Sequence, residues 1–133
     1  MQSYKELLAW QQSMQLVSSI YRATKLFPRE EVYGLTSQLR RSAVSVPSNI
    51  AEGQGRSTRG EFLQFLGHPR GSLFEVETQL TLAGDLGYLK SSDTSQLLKQ
   101  ITRVAQLLNG LISSLRASSS KRSTIHDSRS TIV

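Results

Sequence analysis

Few side chains in this sequence are of types that do chemistry, and spacing disposes of most of them. Di-iron helical bundles place a glutamate three residues ahead of a histidine on each of two helices. Here His68 and His126 follow Phe65 and Ser123 at that distance, so no histidine-based metal site is expected. Neither histidine suits a catalytic base, since His68 precedes Pro69 and His126 lies in a serine-rich stretch. The many serines therefore lack a paired base that would activate them. There is no cysteine, which excludes disulfides, thiolate ligands and a cysteine nucleophile. Glu75 and Glu77 are two residues apart, on different faces of a helix, and cannot form a carboxylate dyad together. Glu75 reads as a solvated or salt-bridged glutamate, with pairing to a base from another helix as the alternative. Glu52-Gly53-Gln54-Gly55-Arg56 has two glycines but not the Gly-Lys-Ser/Thr of a phosphate-binding loop. It reads as a turn between helices. The expectation is a chain with no catalytic residue, no metal and no cofactor, that is, not an enzyme.

The arginines are the remaining candidates. Arg41, Ser45, Ser48 and Glu52 recur in steps of four, three and four, so on one helix they share a polar face. Leu39, Ala43, Val46 and Ile50 lie opposite. Arg40 falls beside that apolar seam, where its stem can cover apolar surface. Arg56 and Arg59 flank the next turn. The four arginines are either phosphate contacts of a nucleic-acid surface or ion-pair partners between helices or subunits. Aromatic residues interleaved with basic ones, which single-strand binders use for stacking, are absent from the pattern.

The elements that position these residues follow from apolar periodicity. A first segment carries Leu7, Trp10, Met14, Val17, Tyr21, Thr24 and Phe27. Ser3 and Glu6 form a capping box before it, and Pro28 closes it. A second segment begins near Pro28, with Glu30 and Glu31 in its first turn, and bears Leu35, Leu39, Ala43, Val46 and Ile50. Its interior Pro47 predicts a kink, and Gly53 and Gly55 predict a left-handed exit. A third opens on Thr58 with Glu61, bears Phe62, Leu66, Leu73, Val76, Leu80 and Ala83, and ends at Gly87. Pro69 should kink or break it near Phe65. A fourth, capped by Asp93 with Gln96, carries Leu97, Ile101, Val104, Leu108, Leu111 and Leu115. Four such segments on short loops predict an all-α fold, an antiparallel up-down-up-down four-helix bundle over residues 1–116. Leu16, Ile20, Val44, Phe65, Phe74, Leu82, Leu98 and Ile112 lie off these stripes. They either widen the core or form a second face buried by self-association.

The formal charge is +6 over 133 residues. Half of that excess falls beyond Leu115, in a serine-rich stretch, so residues 117–133 are expected to be a disordered basic tail. No apolar run approaches the ~20 residues that cross a bilayer, and no secretory signal is evident at the start, so a cytoplasmic protein without membrane contact is expected.

The runs "LAWQQSMQLVSSIYRATKLFPREEVYGLTSQLRRSAVSVPSNIAEGQGR", "EFLQFL" and "GSLFEVETQL…LGYL" resemble the four-helix-bundle family of proteins encoded in 23S rRNA intervening sequences, also called S23-like. The likeness spans about residues 4–115. Its motifs fall here on Tyr33, Gly34, Gln38, Arg40, Arg41, Pro47, Asn49, Glu52, Gly53, Arg56, Gly71, Ser72, Glu75 and Glu77. The "GHPRGS" stretch departs from the family pattern. The resemblance implies a homopentamer with a central channel. It also implies kinship with the accessory protein of diversity-generating retroelements, a basic pentamer that binds nucleic acid and a reverse transcriptase, and no established enzymatic activity. The leading expectation is thus a homo-oligomeric RNA- or DNA-binding accessory or scaffold, with Arg40, Arg41, Arg56 and Arg59 as its contacts. The alternative is a protein–protein adaptor that binds no nucleic acid.

Overall fold

A computed structural model describes residues 3–123, with side chains described through Ala117. Those residues are helical, without a strand among them. The long elements are α1 (Leu8–Thr24), α2 (Leu35–Gln54), a short α3 (Arg59–Phe65), α4 (Gly67–Asp85) and α5 (Ser91–Ser123). α2 packs on both α1 and α4, and α5 also packs on both, so these four close around one core. α3 rests on α5 and α2. The residues of α5 beyond 116 lengthen that helix to Ser123, and 124–133 of the expected tail lie outside the described residues.

The seam of α1 is not the one the apolar pattern suggests. Ala9, Ser13, Leu16, Ile20 and Thr24 are buried, whereas Met14 and Tyr21 are 43% and 40% exposed. Leu16 and Ile20 are therefore core residues, not a second face. The reason lies in Ser13 and Thr24. Their hydroxyls donate to their own helix, at Trp10 O and Ile20 O, both at 2.8 Å, so neither arrives in the core with an unmet polar group. The expected stripe keeps Thr24 but passes over Ser13, Leu16 and Ile20, and so rotates the helix.

Several termini also differ from expectation. Ser3 and Glu6 do form a reciprocal capping box, but it caps a 3₁₀ turn (Tyr4–Glu6), and α1 starts only after extended Leu7. Pro28 is followed by a second 3₁₀ turn (Arg29–Glu31), and α2 begins at Leu35. Glu31 still serves that helix end: its carboxylate accepts from the Leu35 N–H at 3.0 Å. The α2 helix runs unbroken through buried Pro47 to Gln54. Its exit is right-handed, with φ −78° at Gly55, in place of the expected left-handed turn. Gly53 is inside the helix for another reason. A Cβ there would meet Phe65 at 3.1 Å and Phe62 at 3.3 Å, so its bare backbone lets α3 cross closely. The left-handed glycine is Gly87 (φ +78°), which ends α4 with Tyr88 N–H reaching Ala83 O at 3.0 Å. Asp93 lies in the first turn of α5, not at its cap, since that helix starts at Ser91. Pro69 does break the third segment: α3 stops at Phe65, and α4 resumes at Gly67 with Pro69 buried in its first turn. There the proline's missing N–H costs least.

Candidate functional site

The four arginines occupy different environments. Arg40 is half-buried against α1. Its Nε donates to Thr24 Oγ1 at 2.7 Å, a terminal nitrogen reaches Tyr21 O at 3.4 Å, and the guanidinium lies 4.6 Å from the Tyr21 ring centroid. It clamps the last turn of α1, where carbonyls point out and a cation is favourable. Arg56 pairs with Glu52 at 3.1 Å and covers the Phe65 ring at 4.3 Å. Arg41 and Arg59 are exposed and make no hydrogen bond or ion pair among the described residues. Arg40 and Arg41 do meet at the rim of one hollow between α1 and α2, of about 460 Å³, with Ser45, Ser48 and Asn49. The expected polar face of Arg41, Ser45 and Ser48 is thus present, while Glu52 is engaged with Arg56.

At the α3–α4 corner the fold assembles what the linear pattern lacks. Arg56 on one side and His68 on another flank Phe65, with the His68 ring 4.6 Å away, in a hollow of about 310 Å³ that also includes Glu61 and Gln64. One turn on, the Arg70 guanidinium lies 5.7 Å from the ring of exposed Phe74. Cations and aromatic rings are therefore paired after all, across a turn and at i,i+4 spacing, neither of which is visible as local interleaving.

A second feature joins residues that lie far apart in the sequence. Between α2 and α4 runs a polar groove of about 370 Å³ lined by Gln38, Arg41, Ser42, Ser45, Glu75 and Gln79. The side chains of Gln38, Arg41 and Glu75 have no hydrogen-bond or ion-pair partner among the described residues, and Gln79 Oε1 is buried without a donor. An unmet buried acceptor costs about 1–3 kcal/mol, so this atom demands an explanation. Sequence offers no signal for it, because Gln79 looks like any surface glutamine of α4.

A third arrangement ties the two ends of the fold's loops. Glu31 accepts both from Leu35 N–H and, at 2.8 Å, from the Tyr88 hydroxyl 57 residues away. The backbone bond, then the tyrosine bond, holds the Glu31 carboxyl below its ordinary value, and Glu31 in turn raises Tyr88. Tyr88 also packs on Phe27 with centroids 5.5 Å apart. No group of three His, Cys, Asp or Glu side chains able to hold a metal occurs among the described residues. No helix among them is long and apolar enough to cross a membrane.

Against known families, residues 5–110 match the family model of the 23S rRNA-intervening sequence protein. The chain belongs to that family. Its fold is similar to a crystal structure of a protein of unknown function from the S23 ribosomal protein family of Bacteroides thetaiotaomicron, with TM-score 0.72 and 22% identity, covering 79% of this chain and 98% of that one. A comparison with curated proteins finds no match.

In this member of the intervening-sequence family, the signature residues divide by what they touch. Gly34 lets Glu31 fold back, for a Cβ there would lie 2.6 Å from Glu31 Oε1. Pro47, Gly53 and Ser72 are buried, Asn49 donates to Ser45 O at 2.8 Å, and Glu52 holds Arg56. These act within the chain. Tyr33 is 96% exposed, Gln38, Arg41, Glu75 and Glu77 are exposed, and Gly71 has open space where a Cβ would sit. No hydrogen bond or ion pair among the described residues involves the side chains of this second set.

Proposed function

We propose that this intervening-sequence family member is a non-enzymatic, homo-oligomeric bundle that binds RNA or DNA as an accessory or scaffold in the cytoplasm. In this reading the helices run antiparallel, up-down-up-down, and the assembly is a pentamer, as resemblance to the retroelement accessory protein implies. The observation that carries the binding reading is the α3–α4 corner. Arg56 lies over the Phe65 ring, against which His68 also packs, Arg70 lies over the Phe74 ring, and Arg59, without a partner among the described residues, is the first residue of α3. Guanidinium groups hold phosphates by their fork, and rings flanked by cations stack unpaired bases. Arg40, locked to α1, is left out of the contact set. Surplus apolar surface at Leu82 on α4 and at Leu86, its C-cap, supports assembly.

Binding of a labelled structured RNA, followed by fluorescence anisotropy, tests the reading. Affinity should fall steeply from low to moderate salt as counterions are released. Arg56→Ala with Arg59→Ala should weaken it at least tenfold. No binding even at low salt would remove the nucleic-acid role and leave the protein–protein adaptor. Light scattering after size exclusion tests assembly, and a clean monomer at micromolar concentration would refute it.

A further inference from the structure

The α2–α4 groove contains one cation, one anion and several amide or hydroxyl groups, and inside a single copy the charges do not satisfy each other. Arg41 stands on the α2 wall and Glu75 on the α4 wall, lining one groove yet without an ion pair. Gln79 Oε1, one turn beyond Glu75, is buried with no donor. Along α4 the stripe continues as Gly71, Glu75, Gln79, Leu82 and Leu86, in steps of four, four, three and four. Leu82 and Leu86 are 47% and 51% exposed, and on α2 Val44, three residues past Arg41, is 39% exposed. Gly71 has nothing within 4 Å of where a Cβ would be. A mid-helix glycine facing open space weakens the helix without relieving any crowding in the chain, but it lets another backbone come close.

We propose that this groove is the joint between copies of the chain: the α2 wall of one copy meets the α4 wall of the next, and Arg41 pairs with the neighbouring copy's Glu75. Charge complementarity chooses this occupant. A polyanion would satisfy Arg41 but be repelled by Glu75 and supply no donor to Gln79. A second copy brings an arginine for Glu75 and a carboxylate for Arg41. The exposed Val44, Leu82 and Leu86 provide the apolar patch that an interface core needs around such a pair. A closed ring repeats the joint at every contact, so no copy keeps a bare groove. The proposal rests on the homo-oligomeric reading and adds to it the surface and the pair of residues that make the contact.

The test exchanges charges between copies. Arg41→Glu and Glu75→Arg are made separately, each is checked for native helicity, and mass is measured by light scattering for each alone and for an equimolar mixture. Each variant alone should associate at least tenfold more weakly than the wild type, because like charges now meet at the joint. The mixture should regain most of its assembly, since the carboxylate introduced at position 41 of one variant meets the guanidinium introduced at position 75 of the other at every joint but one, a five-membered ring leaving a single like-charged contact. That rescue cannot arise within one copy. Wild-type chain that is monomeric at micromolar concentration overturns the oligomeric reading and the joint together. Wild type that assembles while both charge variants assemble equally well overturns the joint alone. Variants that stay folded and apart when mixed overturn the Arg41–Glu75 pairing, as do variants that assemble normally but lose RNA binding, which would make nucleic acid the occupant.

Discussion

The paired arginines offer the sharpest test, because adjacent residues of one type are given opposite tasks. Arg40→Ala removes a charge-assisted hydrogen bond to Thr24 at 2.7 Å and a guanidinium stacked 4.6 Å from the Tyr21 ring centre. A hydrogen bond to a charged group contributes about 1.5–3 kcal/mol, and the half-buried position of Arg40 places this one at the low end. The stacking adds about 0.5–1 kcal/mol. Thr24 keeps its own bond to Ile20 O, so no buried hydroxyl is orphaned by the change. The bond from Arg40 to Tyr21 O, at 3.4 Å, contributes little. The net loss is about 2 kcal/mol, and with an unfolding entropy of ~2.1 cal/mol/K per residue it lowers Tm by about 7 °C. Arg40→Lys retains the charge but not the planar fork, and should recover less than half. Arg41→Ala, measured in dilute solution where copies do not associate, should stay within about 0.5 kcal/mol of the parent. Thermal unfolding followed by helical circular dichroism decides it. An Arg40→Ala chain that melts within about 2 °C of the wild type would refute the clamp, by the same entropy scaling.

Two further outcomes follow from close contacts elsewhere. Gly53→Val should destabilise by about 1–3 kcal/mol through overpacking, since the first added carbon already meets the Phe65 and Phe62 rings at 3.1 and 3.3 Å; denaturant titration would show it, and an unchanged midpoint would mean α3 can move aside freely. The Glu31–Tyr88 tie predicts a pH dependence with two edges. Glu31 is depressed below its unfolded value of about 4.3, so the stability it contributes is present above that pH and is lost as pH falls through the lower folded value. Tyr88 is raised above about 10, so its contribution is present below that pH and is lost as pH rises through the higher folded value. Melting temperatures recorded against pH should show both edges in the wild type, a weaker acid edge in Tyr88→Phe with no alkaline edge from this pair, and neither edge from the pair in Glu31→Gln.

The helical segments and most of the core were legible because three of the four apolar stripes are nearly unmixed. Leu35, Leu39, Ala43, Val46 and Ile50 are all buried, and so are Leu97, Ile101, Val104, Leu108 and Leu115. The α1 seam is rotated from the expected stripe for a definable reason: Trp10, Val17 and Tyr21 are large and apolar, yet the helix turns Ser13 inward along with the expected Thr24, because each hydroxyl bonds to its own turn. Helix starts rest on short capping patterns: Thr58 does cap α3, accepting from Glu61 N–H, while the two 3₁₀ turns shift the starts of α1 and α2 by several positions. The site was less legible. Arg41 and Glu75 carried a signal as exposed members of family motifs, but they are 34 residues apart in sequence, and only the packing of α2 on α4 puts them on one groove. Gln79 carried none, because its defining property is an unmet bond.

The α3–α4 corner shows how a local rule violation in the sequence becomes a surface feature. Pro69 cannot supply an N–H to the preceding turn, so a continuous third helix would leave a carbonyl unserved on a long, straight rod. Breaking at Leu66 puts the proline in the first turn of α4, where the loss is least. It also frees α3 to lie across the end of α2 at its own angle. That crossing is close only because Gly53 has no side chain, and it places Phe62 and Phe65 against the α2 backbone. Phe65 then meets Arg56, which is held from behind by Glu52, and the resumed helix brings His68 to the same ring. Pro69→Ala therefore perturbs this candidate binding surface, as Arg56→Ala does, and, because the ring it removes is fully buried, it also costs core packing, which Arg56→Ala does not.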